Sequence, residues 1–237
     1  MTGTLYGLGV GPGDPELLTL KAVRILKQVR VVSYITPLEK DGPGPSMARS
    51  IASSHLARDI VEISVPIAMR EDPKPGQVAY DEAAEKISGL LDEGQDVAFL
   101  CEGDPLLYGS FMYLLERLSS IYRVITVPGV SSLGGAAAAA NLPLVSRHES
   151  LAVLPATLSI EELEARLQKA EAAAIFKVGR HLEKIRTVLR GLGCENDAWL
   201  VIRASHEDQH VMKLMEAPDR APYFSMVLVP AQKGVVN

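Results

Sequence analysis

Residues 6–15 read Tyr-Gly-Leu-Gly-Val-Gly-Pro-Gly-Asp-Pro, with a glycine at every second position until Asp14-Pro15 ends the run. Alternate residues of a strand share a face, so Gly7, Gly9, Gly11 and Gly13 leave one face of a strand end bare. A bare face calls for a close neighbour, either a ligand or a packed element. The nucleotide motifs such a stretch suggests all fail. The dinucleotide pattern G-x-G-x-x-G breaks in every register, because its last position falls on Pro12, Asp14 or Glu16. The next strand, 31–36 (VVSYIT), ends without the acid that would hold a ribose. No Gly-Lys-Ser/Thr follows, which excludes a phosphate P-loop. Leu5 stands where a common methyltransferase pattern has an acid, two residues before the first glycine. By itself the run predicts close approach and nothing more specific.

Outward from it, short apolar runs alternate with amphipathic stretches. Strands are expected at 4–10, 30–36, 59–65, 96–101 and 122–127, and helices at 15–28, 46–57, 77–93 and 106–119. That alternation predicts a mostly parallel sheet covered by helices. Asp14-Pro15 and Asp104-Pro105 each place an N-cap acceptor before a proline suited to the first helical position, and Gly94 marks the end of the third helix. The segment VPGVSS, 127–132, reads as a junction. Beyond it, strands are expected at 150–154, 172–178, 197–203, 210–215 and 224–230, with helices near 159–170 and 181–190. The expected architecture is α/β with two α/β domains, 1–126 with a mostly parallel sheet and 127–237 with a mixed one, and a ligand cleft between them. The Pro-, Gly- and charge-rich stretches 37–46 and 66–76 read as surface loops or lids.

The triplet Gly-Asp-Pro recurs at 103–105, inside FLCEGDPLLYGSF (99–111). Ligands of parallel sheets sit at the carboxyl ends of strands, so both GDP turns are expected to line one crevice. Asp104 reads first as a helix cap and second as a carboxylate near a positively charged ligand group. Tyr108 is a single aromatic that stacks, donates a hydrogen bond or joins the core.

The 237 residues carry a net charge of -5 and are 47% hydrophobic and 22% charged. This is the profile of an ordinary globular chain, and its acidity argues against a broad hold on nucleic acid. Cys101 and Cys194 are far apart, without zinc spacing or a disulfide framework, and read as structural thiols. No metal is expected. The start lacks the basic flank and apolar core of a signal peptide, and no apolar run approaches the ~18 residues of a membrane span. A cytoplasmic location and no membrane contact are therefore expected.

GLGVGPGDPELLTLKA, FLCEGDPLLYGSFMYL and VPGVSS together resemble the tetrapyrrole methylases, the class III S-adenosylmethionine-dependent methyltransferases. YITP (34–37), VAYDEAAEKI (78–87), VLPAT (153–157), FKVGRH (176–181) and PYFSMVLV (222–229) are similar to one branch, the precorrin-2 C-20 methyltransferases of corrin biosynthesis. The resemblance runs from residue 4 to about 230. It implies two α/β domains, a homodimer, an anionic tetrapyrrole substrate, and S-adenosyl-L-methionine as methyl donor. Carried over position by position, it implies donor contacts at Pro12, at Glu102, Gly103 and Asp104, at Leu107, at Ser131 and Ser132, and at Val178. The family's usual acid after the second strand is absent here, where Thr36-Pro37 stands instead.

A macrocycle ringed with carboxylates needs cations, and arginine forks suit carboxylates well. Arg147, His148, Lys177, Arg180, His181 and Arg203 are the candidates, with Lys177 and Arg180 favoured because they flank Val178-Gly179. Asp104 and Tyr108 are the candidate proton acceptors, although solvent would also serve. Other readings are methylation at another ring position, the diphthine and ribosomal-RNA branches, a donor-binding protein without turnover, and a dinucleotide oxidoreductase. The broken fingerprint disfavours the last of these.

Overall fold

The computed structural model describes residues 2–39, 41–68 and 74–231. The chain divides into two compact units, Met1–Ser132 and Leu133–Asn237.

In chain order, the first unit contains β1 (Thr4–Gly9), a 3-10 turn (Pro15–Leu17), α1 (Leu20–Leu26), β2 (Val31–Glu39), β3 (Gly42–Pro43) and α2 (Met47–Ala52). It continues with β4 (Val61–Ile67), α3 (Lys74–Asp92), β5 (Val97–Cys101), α4 (Phe111–Leu118) and β6 (Arg123–Val127). The main sheet is parallel in the order β4-β2-β5-β1-β6, and β3 pairs antiparallel with the last residues of β2. Its central strands β1 and β5 are buried on both faces, which is why 97–101 reads as an unbroken apolar run. Val97, Phe99 and Cys101 pack on one face with Ile87 and Leu91 of α3 and Phe111 and Leu114 of α4. Ala98 and Leu100 point the other way, toward Ala22 and Leu26 of α1 and Ile51 of α2. The helices following the neighbouring strands β1 and β5 therefore leave to opposite faces, the crossover at which ligands of open α/β sheets bind.

Three local expectations are corrected. The stretch 15–28 is not one helix: Asp14 accepts the N–H of Glu16 at 2.8 Å and caps only the 3-10 turn. Leu18 and Thr19 are extended, and the Thr19 hydroxyl then caps α1 through the N–H of Ala22. The expected helix 106–119 begins only at Phe111, because the Asp104 carboxylate makes a local turn with the N–H of Leu106 and Tyr108 takes a left-handed backbone, φ 56°. Residues 37–46 are partly strand, since β2 runs on to Glu39 and pairs with β3. The 66–76 loop lies in part outside the described residues, as does Lys40 of the 37–46 loop.

The chain then enters α5 (Ser132–Ala139), a helix of small residues. The second unit holds β7 (Leu151–Pro155), α6 (Ile160–Leu167), β8 (Ala172–Phe176), α7 (Leu182–Gly191), β9 (Trp199–Ile202), β10 (His210–Lys213) and β11 (Ser225–Val229). Their order is β10-β9-β11-β8-β7, with only β7 and β8 parallel. α6 starts on a capping box in which Ser159 and Glu162 satisfy each other's backbone N–H groups. Leu163 of α6 and Ile185 and Leu189 of α7 bury one face of this sheet with Ile175 and Val227, and Ala136 packs with Ala174 and Leu228 on the other.

Candidate functional site

β1 lies between β5 and β6, so three carboxyl-end loops meet: 10–14 after β1, 102–110 after β5 and 128–131 after β6. They are joined mostly by backbone. Val10 N–H donates to the carbonyl of Cys101 at 2.9 Å, and Gly11 and Gly103 exchange bonds, Gly103 N–H to the Gly11 carbonyl at 2.8 Å and the reverse at 3.4 Å. A Cβ on Gly129 would lie 2.1 Å from the Gly103 carbonyl oxygen and 2.8 Å from the Gly9 Cα, so three glycines touch with nothing between them. Gly11 and Gly103 have φ of 80° and 64°, values a side chain makes costly. The bare strand face is thus filled by protein: the Phe111 ring occupies the notch at Gly7, where a Cβ would come within 2.3 Å of it, and Gly129 occupies the one at Gly9.

Asp104 ties this knot through its side chain. One carboxylate oxygen accepts the N–H of Leu106 at 2.9 Å and the other that of Gly129 at 3.1 Å. Glu102 points elsewhere and accepts the N–H of Ala48, in the first turn of α2, at 3.0 Å. The residue is only half-buried, but its carboxyl end sits in crowded surroundings, and that burial pushes its pKa above the ordinary range. Burial likewise pushes up the thiol of Cys101, the last residue of β5. Pro12, Ser131 and Ser132 are half-buried around the knot, and a Cβ on Gly103 would approach the Ser132 nitrogen to 3.2 Å. Leu106, Leu107 and Tyr108 are exposed and form an apolar lip on the 102–110 loop.

The structure therefore brings together Pro12, Gly103, Asp104, Ser131 and Ser132, and turns the Glu102 carboxylate toward α2. Gly129 and Ala48 went unremarked in the sequence, since a backbone N–H looks the same wherever it stands; the quoted VPGVSS was the only pointer to Gly129.

In the second unit, Lys177, Val178 and Arg180 follow the carboxyl end of β8. Lys177 has a left-handed φ of 57°, and both cations are exposed. The Val178 side chain is fully buried in the core, so only its backbone faces outward chemistry. Arg147 lies in the turn before β7, which runs parallel to β8, and so stands at the opposite end of this sheet from Lys177. Of the other cations, Arg203 pairs with Asp208. Among the described residues no group of three or more His, Cys, Asp or Glu side chains is placed to hold a metal ion, and no helix is long and apolar enough to cross a membrane.

Comparison with known proteins fits this arrangement. The profile of the Tetrapyrrole (Corrin/Porphyrin) Methylases matches residues 4–217. The cobalamin biosynthesis protein CobIJ of Mycobacterium tuberculosis is 40% identical over 237 residues, covering 96% of this chain and 46% of that protein. The chain thus spans about half the length of that relative. The precorrin-2 C(20)-methyltransferase of a Sinorhizobium species is 42% identical over 240 residues, covering 98% of this chain and 96% of that protein. Among solved structures, the uroporphyrin-III C-methyl transferase of Thermus thermophilus complexed with S-adenyl homocysteine superposes with a TM-score of 0.66 at 23% identity, covering 95% of this chain and 97% of that one. With a profile spanning most of its length and a relative this similar end to end, the chain belongs to the tetrapyrrole (corrin/porphyrin) methylases.

Proposed function

We propose that the chain transfers the methyl group of S-adenosyl-L-methionine to C-20 of precorrin-2, or of its cobalt form, in cobalamin biosynthesis. The observation that carries this reading is the 42% identity to a C(20)-methyltransferase along nearly the whole of both chains. The knot of three loops fits the donor. It is neutral backbone and hydroxyl for the most part, which suits a ligand without phosphates, and the Asp104 carboxylate suits the neighbourhood of a sulfonium. Pro12, Gly103, Asp104, Leu107, Ser131, Ser132 and the backbones of Glu102, whose carboxylate is engaged by α2, and of Val178 are the proposed donor contacts. Lys177, Arg180 and Arg147 are the proposed partners of substrate carboxylates.

The donor supplies an activated methyl group: electrons of the C-20 carbon form the new C–C bond as the C–S bond breaks onto sulfur, and the C-20 proton then leaves. What the protein must provide is position, worth roughly 7–11 kcal/mol at the limit. Asp104 serves this by fixing the 102–110 loop to Gly129, with both oxygens already accepting backbone N–H groups, while solvent takes the proton. Tyr108 is exposed on the apolar lip, which supports a proposed role for it in contact with the macrocycle. The same reading makes the protein a cytoplasmic homodimer that needs no metal of its own, to be checked by sedimentation equilibrium and by turnover after chelation.

The test is anaerobic incubation with carbon-13-methyl donor and either metal-free or cobalt-loaded precorrin-2. Label at C-20 is expected. Label at another ring carbon, or no transfer together with no donor-induced rise in melting temperature, refutes the reading.

A further inference from the structure

Glu102 and Asp104 stand on either side of Gly103, and their side chains reach different neighbours. Asp104 extends past β1 to the loop after β6, where it accepts the N–H of Gly129 at 3.1 Å. Glu102 turns to α2, the helix that follows β2 on the other side of β5, and its Oε1 accepts the N–H of Ala48 at 3.0 Å. Gly103 itself is bonded to Gly11. The turn is thus held by the loop after β1, the loop after β6 and α2, all within the first unit.

The bond to α2 is one the helix cannot make for itself. N–H groups in a first turn have no carbonyl of their own helix to meet. The Ser46 hydroxyl takes that of Arg49 at 3.4 Å, and the Ser46 carbonyl takes that of Ser50 at 3.0 Å. Ala48 is 1% exposed, packed in one cluster with Ala98 and Leu100 of β5, and its N–H goes to a residue 54 positions along the chain. Stability alone does not account for an acid at that place. The carboxyl end of Glu102 is enclosed, which pushes its pKa above the ordinary range, and its own N–H and that of Ala48 offset only part of the desolvation. An apolar side chain of similar volume would avoid that cost. What it would lack is a directed bond of fixed length between the turn and the helix.

We propose that Glu102 is a positioning residue, whose side chain sets the turn at Gly103 against α2 and so fixes where the donor loop stands. The inference rests on the proposed function and gives a part in it to this side chain, acting through the backbone of residues 102–104.

The test uses the full chain with substitutions that separate reach from charge. Glu102→Gln keeps the reach and drops the charge. Glu102→Asp keeps the charge and shortens the reach, and Glu102→Met keeps the volume and offers at most a weak acceptor. Each is assayed well below its melting temperature by circular dichroism, so that every value refers to folded protein. Amide hydrogen exchange at Ala48 reads the bond. Calorimetric titration with S-adenosyl-L-methionine and anaerobic transfer from carbon-13-methyl donor to precorrin-2 read the position of the loop. In the Met and Asp variants Ala48 is expected to exchange about tenfold faster, the loss of one hydrogen bond to a charged group. Donor affinity should fall about tenfold and kcat about tenfold or more, as misplacement of a reacting group requires. Glu102→Gln is expected to recover most of all three. A side chain with a merely structural role would lower the melting temperature and leave donor affinity and kcat of the folded protein untouched, and that result overturns the proposal. So does an Asp variant that works as well as the Gln variant, or native exchange at Ala48 in Glu102→Met. A native protein that binds donor but labels another ring carbon refutes the proposed function and leaves this inference to stand or fall on donor affinity.

Discussion

Gly129→Ala tests whether the three loops form one rigid part. The new methyl would lie 2.1 Å from the Gly103 carbonyl oxygen and 2.8 and 2.9 Å from the Gly9 Cα and carbonyl carbon. Ordinary contact begins near 3.4 Å, so one loop must retreat by about 1.3 Å, and every atom in the way is backbone. Overpacking of this kind costs about 1–3 kcal/mol. The retreat also pulls the Gly129 N–H from the Asp104 carboxylate, and a hydrogen bond to a charged group contributes about 1.5–3 kcal/mol. A chain of this size loses about 2–4 °C of melting temperature per kcal/mol, so a fall on the order of 10 °C is expected by circular dichroism. Donor affinity, read by calorimetry, should drop at least about tenfold, and methyl transfer about a hundredfold, since 1 Å of misplacement costs that much in rate. Gly89→Ala is the control: it lies inside α3 with nothing within 4 Å of the added Cβ, and it should stabilise by about 0.5–1 kcal/mol. If Gly129→Ala melts and binds donor like the native protein, the loops are not in contact as described.

Three further outcomes are expected. Gly7→Ala drives a methyl into the buried Phe111 ring and should cost about 1–3 kcal/mol; in denaturant titrations the double variant with Phe111→Leu should lose less than the sum, and strict additivity refutes the contact. The raised pKa of Glu102 means that, from the ordinary carboxylate range up to the raised value, the native state holds a proton that the unfolded chain has released. Its contribution to stability therefore falls as pH rises through that window. Glu102→Gln keeps an acceptor for Ala48 but removes the titration, so its melting temperature relative to the native protein should rise as pH climbs out of the ordinary carboxylate range, and a constant difference refutes the assignment. Burial raises the pKa of both thiols, with Cys101 fully covered and Cys194 half-covered. A thiol-reactive dye should label Cys194 slowly and Cys101 only after unfolding, and prompt native labelling of Cys101 refutes its burial.

What the sequence made legible was whatever rests on periodicity. The expected strands 4–10 and 96–101 lie within a residue of Thr4–Gly9 and Val97–Cys101, because runs buried on both faces stand out from their polar flanks. The two α/β sheets were expected for the same reason. The helix at Ser132–Ala139 was missed because SLGGAAAA has no polar face to set a period, and its glycines lower helix propensity. The late start of α4 was missed because Tyr108 adopts a left-handed backbone, which is rare for an aromatic and has no sequence sign. At the site, alternating glycines announced that something must come close, but composition does not distinguish a ligand from Phe111 or Gly129. The proposed donor contacts came through the family resemblance, whereas the tether from Asp104 to Gly129 depends on a fold that sets residues 25 apart side by side.

The contact of Gly9, Gly103 and Gly129 also governs how this scaffold tolerates recombination. Loops that meet backbone to backbone are cut to each other's contour, with no side chain between them to be trimmed or repacked. A loop transplanted singly from a relative would arrive with a path fitted to two strangers, and its first misfit would fall on a carbonyl or a Cα. The segments after β1, β5 and β6 are therefore one heritable cassette, to be exchanged together or left alone. Changes that retune what the site accepts belong elsewhere in the chain, where side chains rather than backbone form the surface.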